Sequence, residues 1–237
     1  MTPVPDKQLA RVTCVLLIVM TIAAIFAQFV VRTPLLAAEP AGVARRILAS
    51  EQTFRLGFLG YLLAYMLDVP VAVLLYVILK PTHRSLAAVM AAFRLVYTAV
   101  VGAVLLLFFG GLLVLQGDLS AFEPAQVQQL AALFTSLFDS GFHLSLMFFA
   151  VHLLLLGILL FRSRRVPRWL SALVAAGGLA YLLDNVLFFL APSLQATVGP
   201  VLGMIAMGEV VLAFWMLFKG VADAPAREMN APVAEGV

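Results

Sequence analysis

Residues Phe54 to Leu79 read FRLGFLGYLLAYMLDVPVAVLLYVIL, an apolar stretch in which Asp68 is the only charged side chain after Arg55. An apolar stretch of more than about 18 residues indicates a membrane span, because at about 1.5 Å per residue it crosses roughly 30 Å of hydrocarbon. This stretch therefore predicts a transmembrane helix with one acidic side chain near its centre.

Five other runs have the same character, so the sequence predicts an all-α fold, a bundle of six transmembrane helices. The predicted spans are Leu9 to Val31, Phe54 to Leu79, Ser85 to Leu115, Gln126 to Phe161, Trp169 to Leu190 and Val198 to Phe218. The chain is 64% hydrophobic and 11% charged, whereas soluble domains are about 45–50% apolar and about 25% charged. We expect one multi-pass membrane domain over residues 1–221 and a disordered cytoplasmic tail over residues 222–237.

Basic residues are unequally divided between the two ends of the predicted spans. The N-terminal side collects Lys7, Arg11, Lys80, Arg84, Arg162, Arg164, Arg165, Arg168, Lys219 and Arg227, and the other side keeps Arg32, Arg45, Arg46 and Arg55. Because Lys and Arg favour cytoplasmic loops, both termini are predicted in the cytoplasm. This topology explains the net charge of +3 without a basic patch, and we expect no nucleic-acid partner. A cleaved signal peptide is the alternative for the first run.

The connection after the first span has an amphipathic pattern. Val43, Ile47, Leu48 and Glu51 recur at helical spacing, with two arginines on the other side. The pattern predicts a short helix on the outer surface, which serves either as an interfacial connector or as a lid over a cavity.

Two segments of the chain resemble each other. Residues 63–68 read LAYMLD and residues 179–184 read LAYLLD. Arg94 and Glu209 are separated by nearly the same number of residues as these two segments, so they would occupy equivalent positions in a repeat. With three helices in each half, a true repeat would be inverted, as in many transporters. Chance in a chain rich in Leu and Ala is the other explanation.

From Phe54 onward, a series of short motifs follows a familiar order. They are Phe54-Arg55-Leu56-Gly57, Leu67-Asp68-Val69-Pro70-Val71-Ala72, Leu75-Tyr76 through Leu79-Lys80-Pro81, Ala92-Phe93-Arg94-Leu95, Phe148-Phe149-Ala150-Val151-His152-Leu153 through Phe161-Arg162-Ser163, Pro167-Arg168 and Gly208-Glu209. This order resembles the bacterial integral-membrane proteins grouped as domain-of-unknown-function family 4386. The resemblance implies a protein of the bacterial cytoplasmic (inner) membrane, and it supplies no activity. It also implies polar character at Asp68, Arg94, His152, Asp184 and Glu209.

A first group of polar residues falls at one depth in the predicted bundle. Asp68, Arg94, His152 and Glu209 all lie roughly 13–17 Å from the inner ends of their spans. An ionised side chain at a helix centre costs about 2.5–3.5 kcal/mol, so these groups must pair, protonate or face water. Since only Lys80 to Arg84 join the second and third spans, we expect Arg94 to face Asp68, with Glu209 close enough to share the guanidinium.

A second group lies nearer the outer side and contains Asp139, His143, Asp184 and Asn185. With the first group it could form a pathway through the bundle. Asp139 and His143, with Ser136 and Ser140 on or near the same helix face, are also the parts of a serine hydrolase, although one helix face is weak support for a triad. The His and Cys pairs of typical metal sites are lacking, so no metal is expected.

The sequence is compatible with three classes of function. The preferred one is the binding or movement of a small molecule or ion at the first polar group. A structural, sensory or partner-binding scaffold is the alternative, and an intramembrane hydrolase is the third. No Gly-rich phosphate loop, Cys-x-x-Cys or His-Glu-x-x-His motif occurs in the sequence, so no cofactor is expected, and the sequence identifies neither catalytic residues nor the oligomeric state.

The predicted topology can be tested with reporter fusions. A reporter after Val237 should be cytoplasmic, and one inserted near Asp118 should lie on the opposite side. The readout is a pair of enzymes active on opposite sides of the membrane. The same compartment for both reporters would contradict the six-span topology.

Overall fold

The structure is a computed structural model that describes residues 6–36 and 39–219. These ranges contain nine α-helices, one π-helical segment and no strand. The elements are α1 (Asp6–Ile25), the π-helical segment (Phe26–Arg32), α2 (Thr33–Leu36), α3 (Pro40–Ala49), α4 (Glu51–Leu79), α5 (Arg84–Gln116), α6 (Pro124–Ser163), α7 (Arg168–Leu190), α8 (Pro192–Ile205) and α9 (Gly208–Lys219). The tail predicted to be disordered, residues 222–237, lies outside the described residues.

Among the described residues, six stretches are long and apolar enough to cross a bilayer, which confirms the predicted all-α bundle of six spans. They run from Gln8 to Leu35, Glu51 to Leu79, Arg84 to Gln116, Pro124 to Ser163, Arg168 to Leu190 and Pro192 to Lys219. Spans that are consecutive in the chain pack side by side, and α9 packs against α1. The spans therefore close into a ring in chain order, with the polar groups of α4, α5, α6 and α9 directed toward a shared interior.

The helices α6 and α7 pack closely because each has a glycine at the contact. A Cβ added to Gly178 would lie 2.8 Å from the carbonyl oxygen of Ala150, and one added to Gly157 would lie 2.7 Å from the backbone nitrogen of Ala175. Small residues that let backbones approach are typical of helix contacts in membranes. These glycines therefore fix how closely α6 approaches α7.

The first span is longer than predicted, and part of it is π-helical. This part lies toward the end of the bundle that carries α3 and the loop between α5 and α6, which we call the outer end in keeping with the predicted topology. The sequence prediction ended this span at Val31 and counted Arg32 among the outer basic residues. In the structure the helical path continues through Leu36, and Arg32 is buried and paired with Asp139. Backbone bonds from Thr33 to Gln28 span five residues, and this wider turn directs Arg32 into the bundle.

The predicted surface helix exists as α3, but its buried face differs from the prediction. Val43 and Ile47 are buried as expected, together with Ala44, whereas Leu48 is exposed. The helix ends at Ala49, and Glu51 begins the next span. Because α3 packs mainly against α6, the residues that face α6 are buried. Leu48 belongs to the predicted apolar stripe but remains exposed.

The sixth span is interrupted, although the sequence pattern suggested a single run from Val198. It begins at Pro192 and divides into α8 and α9 around Ala206 and Met207. At the interruption α7 comes very close, since a Cβ on Gly208 would lie 2.7 Å from the carbonyl oxygen of Leu173. As a result α8 packs against α7, while α9 packs against both α1 and α7.

The close packing of α6 and α7 can be tested with a matched pair of glycine substitutions. Gly178→Ala should destabilise the protein by about 1–3 kcal/mol, because its Cβ meets backbone atoms that cannot move aside. Gly102→Ala should be neutral or stabilising by up to about 1 kcal/mol, because no atom lies within 4 Å of its Cβ. Thermal unfolding in detergent measures both, and equal losses of stability would contradict the packing described.

Candidate functional site

The guanidinium of Arg94 lies at the centre of the ring and contacts three other spans. Its Nε donates to Asp68 Oδ1 on α4 at 2.8 Å, and its Nη1 donates to Glu209 Oε1 on α9 and lies 2.9 Å from His152 Nε2 on α6. Nη2 lies 2.6 Å from Asp68 Oδ1 and 4.0 Å from the sulfur of Met20. All three nitrogens thus have acceptors, and the expected pairing of Arg94 with both carboxylates is present. We call Asp68, Arg94, Thr98, His152 and Glu209 the midplane cluster.

Asp68 is held from two sides by residues of α5. Its Oδ1 accepts from Arg94, and its Oδ2 accepts from the hydroxyl of Thr98 at 2.5 Å. Thr98 lies one helical turn after Arg94, and its Oγ1 is also 2.9 Å from the Arg94 carbonyl oxygen. The side chain of Asp68 is 1% exposed, so its charge is balanced by these contacts and not by water.

His152 has a defined hydrogen-bonding role. Its Nδ1 lies 2.9 Å from the carbonyl oxygen of Met90, and its Nε2 faces Nη1 of Arg94. A carbonyl oxygen can only accept and a guanidinium can only donate. Nδ1 must therefore donate and Nε2 must accept, which makes His152 a neutral acceptor for Arg94.

Glu209 differs from the other members in its position and exposure. It lies in the first turn of α9, immediately after the interruption of the sixth span. Its side chain is 13% exposed, whereas that of Arg94 is fully buried. With His152 neutral, one guanidinium faces two carboxylates, so the cluster carries a net charge of −1 when both are ionised. One proton on Glu209 would make it neutral.

A second polar cluster lies nearer the outer side of the bundle. Arg32 donates from Nη2 to Asp139 and from Nη1 to Gln28 Oε1 at 2.8 Å. The Tyr61 hydroxyl donates to the same Gln28 oxygen at 2.8 Å, and the guanidinium lies 4.3 Å from the ring centre of Phe142. We call Gln28, Arg32, Tyr61, Asp139, His143 and Asn185 the outer cluster.

His143 connects Asp139 to α7 within the outer cluster. The Asn185 amide nitrogen donates to the Tyr181 carbonyl, so the amide oxygen faces the ring and accepts from His143 Nδ1 at 2.7 Å. His143 Nε2 then points toward Asp139 Oδ1, 4.0 Å away. Asp184, which was also expected in this group, accepts from Gln195 of α8 at 2.9 Å.

Four members of these clusters were not among the predicted site residues: Thr98 of the midplane cluster, and Gln28, Arg32 and Tyr61 of the outer cluster. Gln28 and Tyr61 lie inside apolar runs, and Arg32 was taken for a residue of the outer surface. The spacing of Gln28 and Arg32, four residues apart, was the available signal, because such a pair shares one helix face. A second signal was Asp139, because a carboxylate inside an apolar bundle needs a cation beside it. Arg32 is that cation.

The hydrolase alternative has little support in the geometry. The hydroxyl of Ser136 donates to the Ala132 carbonyl at 3.1 Å, and that of Ser140 donates to the Ser136 carbonyl at 3.0 Å. The ring nitrogens of His143 face Asn185 and Asp139 instead. Within residues 6–36 and 39–219, no three His, Cys, Asp or Glu side chains are grouped as a metal site requires.

The cavities described lie away from the midplane cluster. One of about 410 Å³ lies between α3 and the loop that joins α5 to α6, where Arg45, Asp118 and Phe122 contribute to its lining. Another of about 220 Å³ lies between the outer end of the first span and α3. The side chains of Asp68 and Arg94 contribute to neither. In this conformation Asp68, Arg94 and His152 are buried, whereas Glu209 is partly exposed.

Comparison with known proteins identifies the family. A family model described as "Domain of unknown function (DUF4386)" matches residues 12–220. The chain belongs to this family. The matched range takes in both polar clusters and, except for the first four residues of the first span, all six spans of this DUF4386 protein.

An uncharacterised protein of the archaeon Archaeoglobus fulgidus is 34% identical to this DUF4386 chain over 162 residues. The match covers 68% of this chain and 82% of the archaeal protein. No solved structure matches the chain. The relative carries no assigned activity, and its archaeal source leaves the expected bacterial origin without support from the comparison.

The midplane cluster makes a prediction about stability. Arg94→Ala should destabilise the DUF4386 protein by about 3–5 kcal/mol, because it leaves two carboxylates facing each other without a cation. Asp68→Asn should be milder, because Glu209 still neutralises Arg94.

The control for these variants is Arg55→Ala. Arg55 pairs with Glu51 on the exposed end of α4, and its loss should change stability little. Thermal unfolding in detergent compares the three. An Arg94→Ala protein as stable as Arg55→Ala would contradict a structural role for the cluster.

Proposed function

We propose that this DUF4386 protein binds and releases a small cation, a proton in the first instance, at the midplane cluster, as part of ion or small-molecule movement across the membrane. Glu209 is the proposed acceptor. The observation that carries the proposal is that one guanidinium is shared by two carboxylates, of which one lies at an interruption of its helix.

The charge of the cluster supports an exchangeable proton. A single carboxylate suffices to neutralise Arg94, and Asp68 is bound to it through two nitrogens and to Thr98 besides. Glu209 contributes a second negative charge, and an uncompensated charge in hydrocarbon is costly. A proton that binds Glu209 removes this cost, whereas a protonated Asp68 would lose its stronger contacts.

The interrupted sixth span supports movement at the same position. Discontinuous helices near the midplane are a recurring feature of transporters, where they form the ion or substrate site. The N-terminal end of α9 favours a negative charge at Glu209. Protonation of Glu209 weakens both this interaction and its bond to Arg94, so proton binding is coupled to the position of α9 relative to α5.

A structural scaffold is the second candidate, and one observation favours it. Asp68, Arg94 and His152 are almost completely buried, and the described cavities do not reach them. A closed network of this kind also holds helices together, with about 0.6 kcal/mol from an average interhelical hydrogen bond. The two candidates differ in whether Glu209 exchanges a proton.

For the location, we propose a cytoplasmic membrane with both termini on its inner side. The burial of Arg32 supports this orientation, because it leaves only Arg45, Arg46 and Arg55 of the described residues as basic groups on the outer side. Lys80, Arg84 and four arginines at the junction of α6 and α7 lie at the other end: Arg162, Arg164, Arg165 and Arg168.

The proposal predicts that a hydrophobic carbodiimide, which reacts with protonated carboxyl groups in apolar surroundings, modifies Glu209. Modification should decrease as the pH of the purified protein is raised, and mass spectrometry identifies the modified residue. Glu209→Gln should abolish the modification and the uptake of one proton by the protein after a downward pH jump, while the protein remains folded.

Glu51→Gln is the matched control. Glu51 is a partly exposed carboxylate that also pairs with an arginine, Arg55, and its loss should leave proton uptake at the cluster unchanged. Glu209 that stays unmodified at every pH would contradict the proposal. So would a Glu209→Gln protein that takes up protons as the unchanged protein does, and either result would favour the scaffold.

A further inference from the structure

A groove of about 190 Å³ opens between α6 and α7 at the inner end of the bundle, opposite α3. The two backbones nearly touch at its floor, since a Cβ added to Gly157 would lie 2.7 Å from the Cβ of Ala175. Ile158 and Phe161 stand beside the floor and are 41% and 47% exposed. In a membrane span, such exposed apolar surface faces hydrocarbon. We call this feature the inner groove, and its lining includes Gly157, Ile158, Phe161, Arg162, Ala172 and Ala175.

The inner groove lies at the depth where the acyl chains of a lipid begin. Gly157 is six residues before the end of α6, and Ala175 is seven residues after the start of α7. At about 1.5 Å per residue, the floor is therefore about 9–11 Å from the inner ends of these helices. Trp169, in the first turn of α7, is 55% exposed and meets the ring of Trp215 edge to face. Tryptophans are enriched at the headgroup level of membranes, which places the groove just inside that level.

The rim of the inner groove carries arginines that no acid neutralises. Arg162 is an exposed lining residue, and the guanidinium of Arg168 lies 5.3 Å from the ring centre of Phe161, another lining residue. Arg164, in the connection between the two helices, is exposed as well. Within residues 6–36 and 39–219, none of these three arginines is in a salt bridge.

The acidic residues of the described chain lie elsewhere. The connections at the inner end, residues 80–84 and 162–168, contain no Asp or Glu. Of the acids in the described ranges, all but Asp6 lie within the spans or at the outer end. Asp6 begins α1, which packs against α4 and α9. The arginines of the rim therefore present an uncompensated positive charge at the headgroup level.

The shape and charge of the inner groove together select one kind of ligand. Sites for soluble small molecules are concave and measure roughly 300–1,000 Å³, whereas this groove is smaller and open to lipid. Its apolar floor suits a segment of alkyl chain, and the planar guanidinium groups at its rim suit phosphate oxygens. A zwitterionic headgroup brings its own ammonium, which the arginines repel. A phospholipid with a net negative headgroup satisfies every part of the groove.

We propose that the inner groove is a binding site for an anionic phospholipid. Arg162 and Arg168 hold the phosphate, and one acyl chain lies along Ile158 and Ala172. In the predicted topology the lipid belongs to the cytoplasmic leaflet, where basic pockets between spans bind anionic headgroups. This proposal is independent of the proposed function, because the inner groove shares no residue with the midplane cluster.

The test measures which lipid the full chain retains. The purified protein is given equal amounts of phosphatidylglycerol and phosphatidylcholine with identical acyl chains, and native mass spectrometry counts each lipid-bound form. A basic residue near an anionic headgroup favours binding by about fivefold, so two arginines should give a preference for phosphatidylglycerol of about 25-fold. Arg162→Gln and Arg168→Gln should each lower this preference by about fivefold.

Lys80→Gln is the matched control for charge. Lys80 is exposed at the same end of the bundle, but it follows α4 and does not line the inner groove. The substitution removes the same single charge and should leave the preference unchanged. An equal loss in Lys80→Gln and Arg162→Gln would show a general attraction to the basic end and would overturn the proposed site.

A second variant tests the groove without changing any charge. Ala172→Leu fills the inner groove from an exposed position, so the protein should fold normally and retain less of the phosphatidylglycerol. Ala99→Leu, which makes the same change at an exposed position of α5, should bind lipid like the unchanged protein. Thermal unfolding in detergent checks that both variants are folded.

The remaining outcomes identify other ligands. Inorganic phosphate at the concentration of the lipid should not displace phosphatidylglycerol, because it lacks an acyl chain, and displacement would assign the arginines to a soluble phosphate instead. Equal retention of the two lipids by the unchanged protein, or full retention in Ala172→Leu, would also overturn the proposal. None of these results changes the proton exchange proposed for Glu209, and a failure to modify Glu209 leaves the lipid result unaffected.

Discussion

The structure depends on a positive charge that cannot be removed. The guanidinium of Arg94 keeps its proton under all ordinary conditions, so placing it in hydrocarbon forces acceptors around it. It collects them from α4, α6 and α9, and Met20 of α1 lies against it. Most of the ring is thereby tied to one side chain of α5. The contacts of Arg94 therefore join α1, α4, α6 and α9 to α5 at one level of the bundle.

The parts of this arrangement that depend on local sequence could be predicted. Long apolar runs give the number of spans, and the short connection between α4 and α5 makes them antiparallel neighbours and sets Asp68 level with Arg94. The position of Glu209 also followed from depth alone. Depth is read directly from chain length in a membrane helix, because the rise per residue is constant.

The parts that depend on contacts between helices could not be predicted. A hydropathy pattern does not distinguish α-helical from π-helical turns. The π-helical turns of the first span direct Arg32 inward. The division of the sixth span arises where its backbone meets Leu173 of α7. The glycines at 199, 203 and 208 were a visible sign, but glycine is frequent in uninterrupted membrane helices as well.

The interrupted sixth span gives the two halves of the ring different properties. In the inner half, α9 packs against both α1 and α7, so the ring is closed. In the outer half α8 packs against α7, and none of its residues is buried, although all of them are described. The polar groups with partial exposure, Asp139, His143 and Glu209, lie at or beyond the interruption. Glu209 ties α9 to Arg94, but Asp68 alone already balances the charge of Arg94, so the second carboxylate leaves the cluster with an excess of negative charge. The proposed cation exchange rests on these two features, the excess acid and the less enclosed half of the ring.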